Sequence, residues 1–178
     1  MNEKIQGSII CFFPDNEIDG LEKFRKKYIK SPGKAVPFHI TLMYDFLLPH
    51  EIDKSVINKL NSIAKSIPKF NFYAKPLSSF PANKVLYLSP SPVTPIEELT
   101  EKLYNTFPNY SYKKRGFPIF HMTIALGNPI EETQDIIKEY FQQFGEEPLA
   151  LKAGSIGIYI NKANEWIKYL SIELGDIH

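Results

Sequence analysis

The chain has 178 residues, 43% of them hydrophobic and 13% aromatic, with a formal net charge of +1 and a single cysteine. That length suits one domain with a substantial core, and the near-neutral balance excludes a large non-specific nucleic-acid binder, whose footprint is a basic excess. The lone Cys11 allows no internal disulfide and suits a reducing cytoplasm, and no apolar run is long enough to span a bilayer or to read as a leader.

Gly7 to Phe13 reads as an apolar, β-branched strand closed by Pro14. Asp15 is placed to cap a helix with the stripe Ile18, Leu21, Phe24 and Tyr28. Its basic last turn (Arg25, Lys26, Lys27, Lys30) suits the negative end of the helix dipole. Ser31-Pro32-Gly33 ends it, and a strand is expected from about Phe38 to Tyr44. A second helix carries Ile52, Val56, Leu60, Ile63 and Ile67 on one face and stops at Pro68, after which Phe70 and Phe72 begin another strand.

Val85 to Ser89 is the next strand, and Thr94-Pro95-Ile96-Glu97 reads as a capping box opening a helix with the stripe Ile96, Leu99, Leu103 and Phe107. A Tyr- and Lys-rich loop leads to a strand at about Ile119 to Leu126. Asn128-Pro129-Ile130-Glu131 starts a fourth helix, with Ile130, Ile137, Tyr140 and Phe144 inward. Leu149 to Ile160, interrupted at Gly154 and Gly157, and Trp166 to Leu174 close the chain as two strands around a hairpin turn. Each half thus reads strand, helix, strand, helix, strand. The order implies one two-lobed domain, 1–178, with halves of about 1–78 and 79–178, folded about a pseudo-two-fold axis.

The central strand of each half carries the same pattern: His39-Ile40-Thr41-Leu42 and His121-Met122-Thr123-Ile124. Side chains two apart on a strand share a face, so each His stands beside its Thr while the apolar partners face the core. The chain has four histidines and six threonines, so a given His meets a Thr at that spacing about once in thirty by chance. Two such meetings, 82 positions apart, favour a shared site over coincidence. Two imidazoles facing one another supply a base on the attacking oxygen and an acid on the leaving oxygen, as in-line displacement at phosphorus requires. The neighbouring hydroxyls can donate to the non-bridging phosphate oxygens, and no metal is needed. His50 and His178 carry no such context.

On these motifs the chain resembles the two-histidine phosphoesterase superfamily, and within it the bacterial 2′-5′ RNA ligase and cyclic phosphodiesterase group. The likeness extends to Ser8-Ile9-Ile10-Cys11-Phe12, to Phe80-Pro81 ahead of Val85, and to the closing stretch from Tyr159 to Leu174. The resemblance implies an α+β, bilobal, duplicated fold: two antiparallel-rich sheets lining a central cleft, with helices outside. It implies metal-independent opening or hydrolysis of 2′,3′-cyclic phosphates or 2′-5′ linkages in RNA ends or small nucleotides, by a cytoplasmic monomer without cofactor. It gives His39 and His121 the acid and base roles, by analogy His121 as base and His39 as acid, with Thr41 and Thr123 holding phosphate. Arg115 and Lys34 are the basic residues ahead of the two motifs, and Phe46 and Tyr159 are the aromatic rings proposed to stack a base.

Two other readings compete. His39, Asp45 and His121 form a possible two-His, one-carboxylate metal set for a hydrolase, since 39 and 45 have the same strand parity. A catalytically silent RNA-end or nucleotide-binding module of the same fold is the second. An acting histidine pair is expected to give a bell-shaped pH profile with both groups titrating near neutrality.

Overall fold

Alternating strands and four amphipathic helices assemble into two antiparallel sheets that share one strand. The computed structural model of the protein describes residues 5–30, 36–110, 118–163 and 165–176. One sheet runs β2 (Ile40–Met43), β1 (Ile5–Pro14), β6 (Leu149–Lys162) and β7 (Glu165–Glu173). The other runs β6, β3 (Asn71–Phe80), β4 (Val85–Ser91) and β5 (Met122–Leu126). Every pairing between these strands is antiparallel, so the architecture is the α+β one expected.

β6 belongs to both sheets. Its residues 149–152 pair with β3, and 153–162 pair with β1. Gly154 and Gly157 therefore do not interrupt it. Gly157 has a packing role instead: a Cβ there would stand 2.9 Å from the Phe13 ring on β1, so the missing side chain is what admits that ring.

The helices are α1 (Leu21–Tyr28), α2 (Lys54–Lys65), α3 (Thr94–Thr106) and α4 (Thr133–Phe144). Three of their starts differ from expectation. α1 begins after Gly20, whose left-handed backbone (φ 76°) turns the chain into the helix, while Asp15 pairs with Lys69 at 3.6 Å rather than capping. α3 is preceded by Val93 without any side-chain cap, and Thr94 is already helical because Pro95 can occupy the first turn without losing a needed N–H. A single 3₁₀ turn, Ile130–Glu132, absorbs the expected start of the fourth helix. α2 is capped by Asp53, whose carboxylate accepts from the Val56 N–H at 2.8 Å.

Strands distant in the chain are interleaved: β3 joins β4, β5 and β6 in the second sheet, and β6 and β7 join β1 and β2 in the first. α1 also crosses: it docks on β5, with the Lys30 N–H donating to the Leu126 carbonyl at 2.9 Å. Ile40, Leu42, Met122 and Ile124 lie in one core with Phe12, Phe72 and Leu88, each contributing roughly 1.5–3 kcal/mol by burial. The ends of the strand path, β2 and β5, pack against one another. Among the described residues no helix is long and apolar enough to cross a membrane.

Candidate active site

Both His-x-Thr motifs stand at sheet edges, and the two edges meet. Among the described residues β2 pairs with β1 alone, whereas β5 pairs with β4 along its length and is bridged in parallel by Ile29 at Leu126. Burial of Ile40 and Leu42 on one face, and of Met122 and Ile124 on the other strand, turns Thr41 and Thr123 to the opposite, half-buried face. His39 and His121 sit one residue before their strands and are likewise half-buried.

The two imidazoles are held in the same way. Nδ1 of His39 lies 2.6 Å from the Pro37 carbonyl, and Nδ1 of His121 lies 2.7 Å from the Ile119 carbonyl. A carbonyl can only accept, so each bond requires a proton on Nδ1. In the neutral ring that leaves the Nε2 lone pair free. Each motif therefore leaves the same ring nitrogen free, its imidazole fixed by a backbone contact two residues upstream.

Aromatic rings back both histidines. The Phe80 ring meets His121 edge-on at 5.2 Å, Tyr87 stands 5.3 Å from it, and Phe80 stacks on Tyr87 at 4.3 Å. On the other side Phe13 lies 6.1 Å from His39 and 5.6 Å from Tyr159. Cys11 belongs to this face, hydrogen-bonded to Thr41, with burial pushing its thiol well up and so keeping it un-ionised. Burial is also the main influence on His39, pushing it down to about 4. The Pro37 hydrogen bond works in the opposite sense, and the charges of Arg25 and His121 add to the depression.

Of the other residues singled out in the sequence, Tyr159 is buried behind Phe13, one layer from His39. Phe46 faces the main core, edge-on to Phe107 at 5.1 Å. Its position after β2 places it with the apolar side of the strand, so it packs rather than lining the motif face. Lys34 and Arg115 lie outside the described residues. Asp45 is exposed two residues past β2 in a left-handed conformation (φ 53°), and among the described residues no group of three or more His, Cys, Asp or Glu could hold a metal ion. A cavity of about 220 Å³ lined by Leu86, Ala125, Asn128 and Ile136 lies behind the second sheet, and no motif residue lines it.

Sequence reasoning missed Arg25. Assigned only to the basic last turn of its helix, it is 3% exposed. Its Nε donates to the Thr123 carbonyl at 2.8 Å, and Nη1 pairs with both oxygens of Glu22 at 2.7 and 2.8 Å. The spacing contained a signal, because Leu21, Arg25 and Tyr28 fall on one helical face. Phe13 and Tyr87 were legible as strand residues, and Phe80 as part of the stretch ahead of Val85, but none as a neighbour of the histidines.

Comparisons with known proteins identify the family and the fold. A family model described as the 2′-5′ RNA ligase superfamily matches residues 13–165. A relative from Geobacillus kaustophilus (strain HTA426), named "Putative phosphoesterase", is 30% identical over 132 residues, which is 74% of this chain and 75% of the relative. The fold is similar to that of the Thermus thermophilus protein TT0787, with a TM-score of 0.63 at 13% identity over 97% of this chain and 100% of that one. It is also similar to E. coli LigT complexed with 3′-AMP, with a TM-score of 0.51 at 14% identity over 97% and 100%.

Proposed function

The chain belongs to the 2′-5′ RNA ligase superfamily, and we propose that it is a metal-independent phosphoesterase acting on 2′,3′-cyclic phosphate or 2′-5′ phosphodiester bonds of RNA ends or small nucleotides. The observation that carries the reading is the matched pair of imidazoles. Each has Nδ1 tied to a carbonyl and Nε2 left to act, on edge strands that meet. A nucleotide-sized ligand is supported by the 3′-AMP of the LigT complex. A cytoplasmic setting accords with the single buried thiol.

For a cyclic phosphate the chemistry runs in line. A water oxygen forms a bond to phosphorus as the bond to one ribose oxygen breaks. One Nε2 takes the proton from the water, and the other Nε2 gives a proton to the departing oxygen. The Thr41 and Thr123 hydroxyls donate to the non-bridging oxygens, where negative charge gathers in the transition state. Burial disfavours the charged form of His39, which suits it to the base role with His121 as the acid. The resemblance implies the opposite assignment, His121 as base and His39 as acid.

The test is a screen of 2′,3′-cyclic nucleotides and 2′-5′-linked oligonucleotides with chelator-treated protein, comparing wild type with His39→Ala, His121→Ala and the double variant. Turnover should survive the chelator and fall about 10²–10⁴-fold in each single variant. Unchanged turnover in the variants would remove catalysis from these residues. Loss on chelation, restored by a divalent ion, would favour the metal reading instead.

A further inference from the structure

We propose that Arg25 is a positioning residue that fastens the two motifs to each other, setting the spacing and orientation of the paired histidines. This rests on the reading of His39 and His121 as the acting pair.

The chain path makes such a device necessary. The motifs lie on edge strands of different sheets, and neither strand is hydrogen-bonded to the other along a ladder. α1 follows β1 and docks on β5 of the second sheet. Its buried Arg25 and the adjoining Glu22 also reach Val36 and Phe38, just ahead of β2, so the helix contacts both motif segments. One end of the guanidinium donates to the carbonyl of Thr123, inside the second motif. Nη2 donates to the Val36 carbonyl at 3.3 Å, three residues ahead of His39. Glu22 holds the remaining edge, and the same carboxylate accepts from the Phe38 N–H, the residue before His39. The Phe38 ring lies 5.8 Å from the guanidinium carbon. One cation and its carboxylate thus bond three backbone groups, one in the second motif and two in the approach to the first.

Only arginine can make this set. Its donors diverge in a rigid plane, so Nε and Nη2 reach two carbonyls while Nη1 keeps the carboxylate. A lysine ammonium keeps the charge but gathers its donors at one point. Burial behind both motifs keeps Arg25 away from substrate, so it acts through His39 and Thr123 and not on the reacting atoms. Its positive charge also reaches His39 and disfavours protonation there.

The experiment compares wild type with Arg25→Lys and Arg25→Met. Imidazole titrations of His39 and backbone amide shifts of Thr41 and Thr123 are read by NMR, and kcat and KM are measured on the best cyclic nucleotide. Arg25→Lys should stay folded and lose about 10–100-fold in kcat with little change in KM. Its Thr123 and His39 signals should shift while the depressed titration of His39 is kept. Arg25→Met should lose kcat as well and let His39 titrate at higher pH. Folded Arg25→Lys with wild-type kcat and wild-type Thr123 and His39 shifts would overturn the proposal. So would an Arg25→Met protein whose only defect is a lower Tm. If Arg25→Met does not fold, the lysine variant alone decides. The NMR measurements need no substrate, so failure of the clamp is distinguishable from failure of the phosphoesterase reading, which the histidine variants test.

Discussion

Acidification is the perturbation most directly set by this site. An ordinary imidazole titrates near 6.5, whereas His39 is pushed down to about 4, first by burial and then by the charges of Arg25 and His121. At pH 5 a base with the lowered value is about 90% unprotonated, against about 3% at the ordinary value, a difference of about thirty-fold in active enzyme. The acid limb of kcat/KM on a 2′,3′-cyclic nucleotide should therefore fall near pH 4, not near 6.5. The bell-shaped profile expected from the sequence should accordingly be broadened on its acid side. The same shift affects folding. The unfolded chain binds the proton from about pH 6.5 downward while the folded one does not until about 4, so stability present above 6.5 is lost as pH falls through that window. The full difference is about 3 kcal/mol, reduced because one side of the ring meets solvent. Rates should accordingly be taken in short assays, with recovery after return to neutral pH as a control, and His39 titrated by NMR in parallel. An acid limb and an NMR midpoint both near 6.5 would refute the reasoning that this site keeps His39 neutral.

Two further outcomes follow from the same geometry. Thr41→Val and Thr123→Val keep the strand shape but remove the donor, and each should lower kcat about 10–100-fold with small effects on Tm, measured by steady-state kinetics and thermal unfolding. Gly157→Ala places a methyl where the Phe13 ring lies and 3.2 Å from the Leu170 carbonyl. It should destabilise by about 1–3 kcal/mol in urea unfolding and displace the His39 ring resonances, whereas alanine at the open Gly145 should leave those resonances unmoved.

The motifs were legible because their information is local. Alternation over four residues fixes which side chains share a face, and Ile40, Leu42, Met122 and Ile124 are buried as that rule requires. Pairing across the chain is not local. Nothing near Asn71 announces that it pairs with Lys152, so the interleaving of distant strands was invisible. Gly154 and Gly157 suggested breaks because a glycine that makes room for a neighbour reads the same as one that bends a strand. Arg25 was misplaced for a related reason: a charge in a basic run resembles a solvated one until the carbonyls it meets are known. Phe46 illustrates the converse, an aromatic near the motif whose ring turns into the core.

The strand shared by both sheets has a mechanical consequence. Many two-lobed enzymes clamp their substrate by swinging about a hinge. Here such a hinge would have to bend β6 in the middle of its ladders, sacrificing backbone hydrogen bonds worth about 1 kcal/mol each on both sides. Bending β6 between its two sets of partners is therefore disfavoured. Under the proposed mechanism the spacing of the two imidazoles is then set by the fold, and a phosphoester is selected by whether its entering and departing oxygens match that spacing.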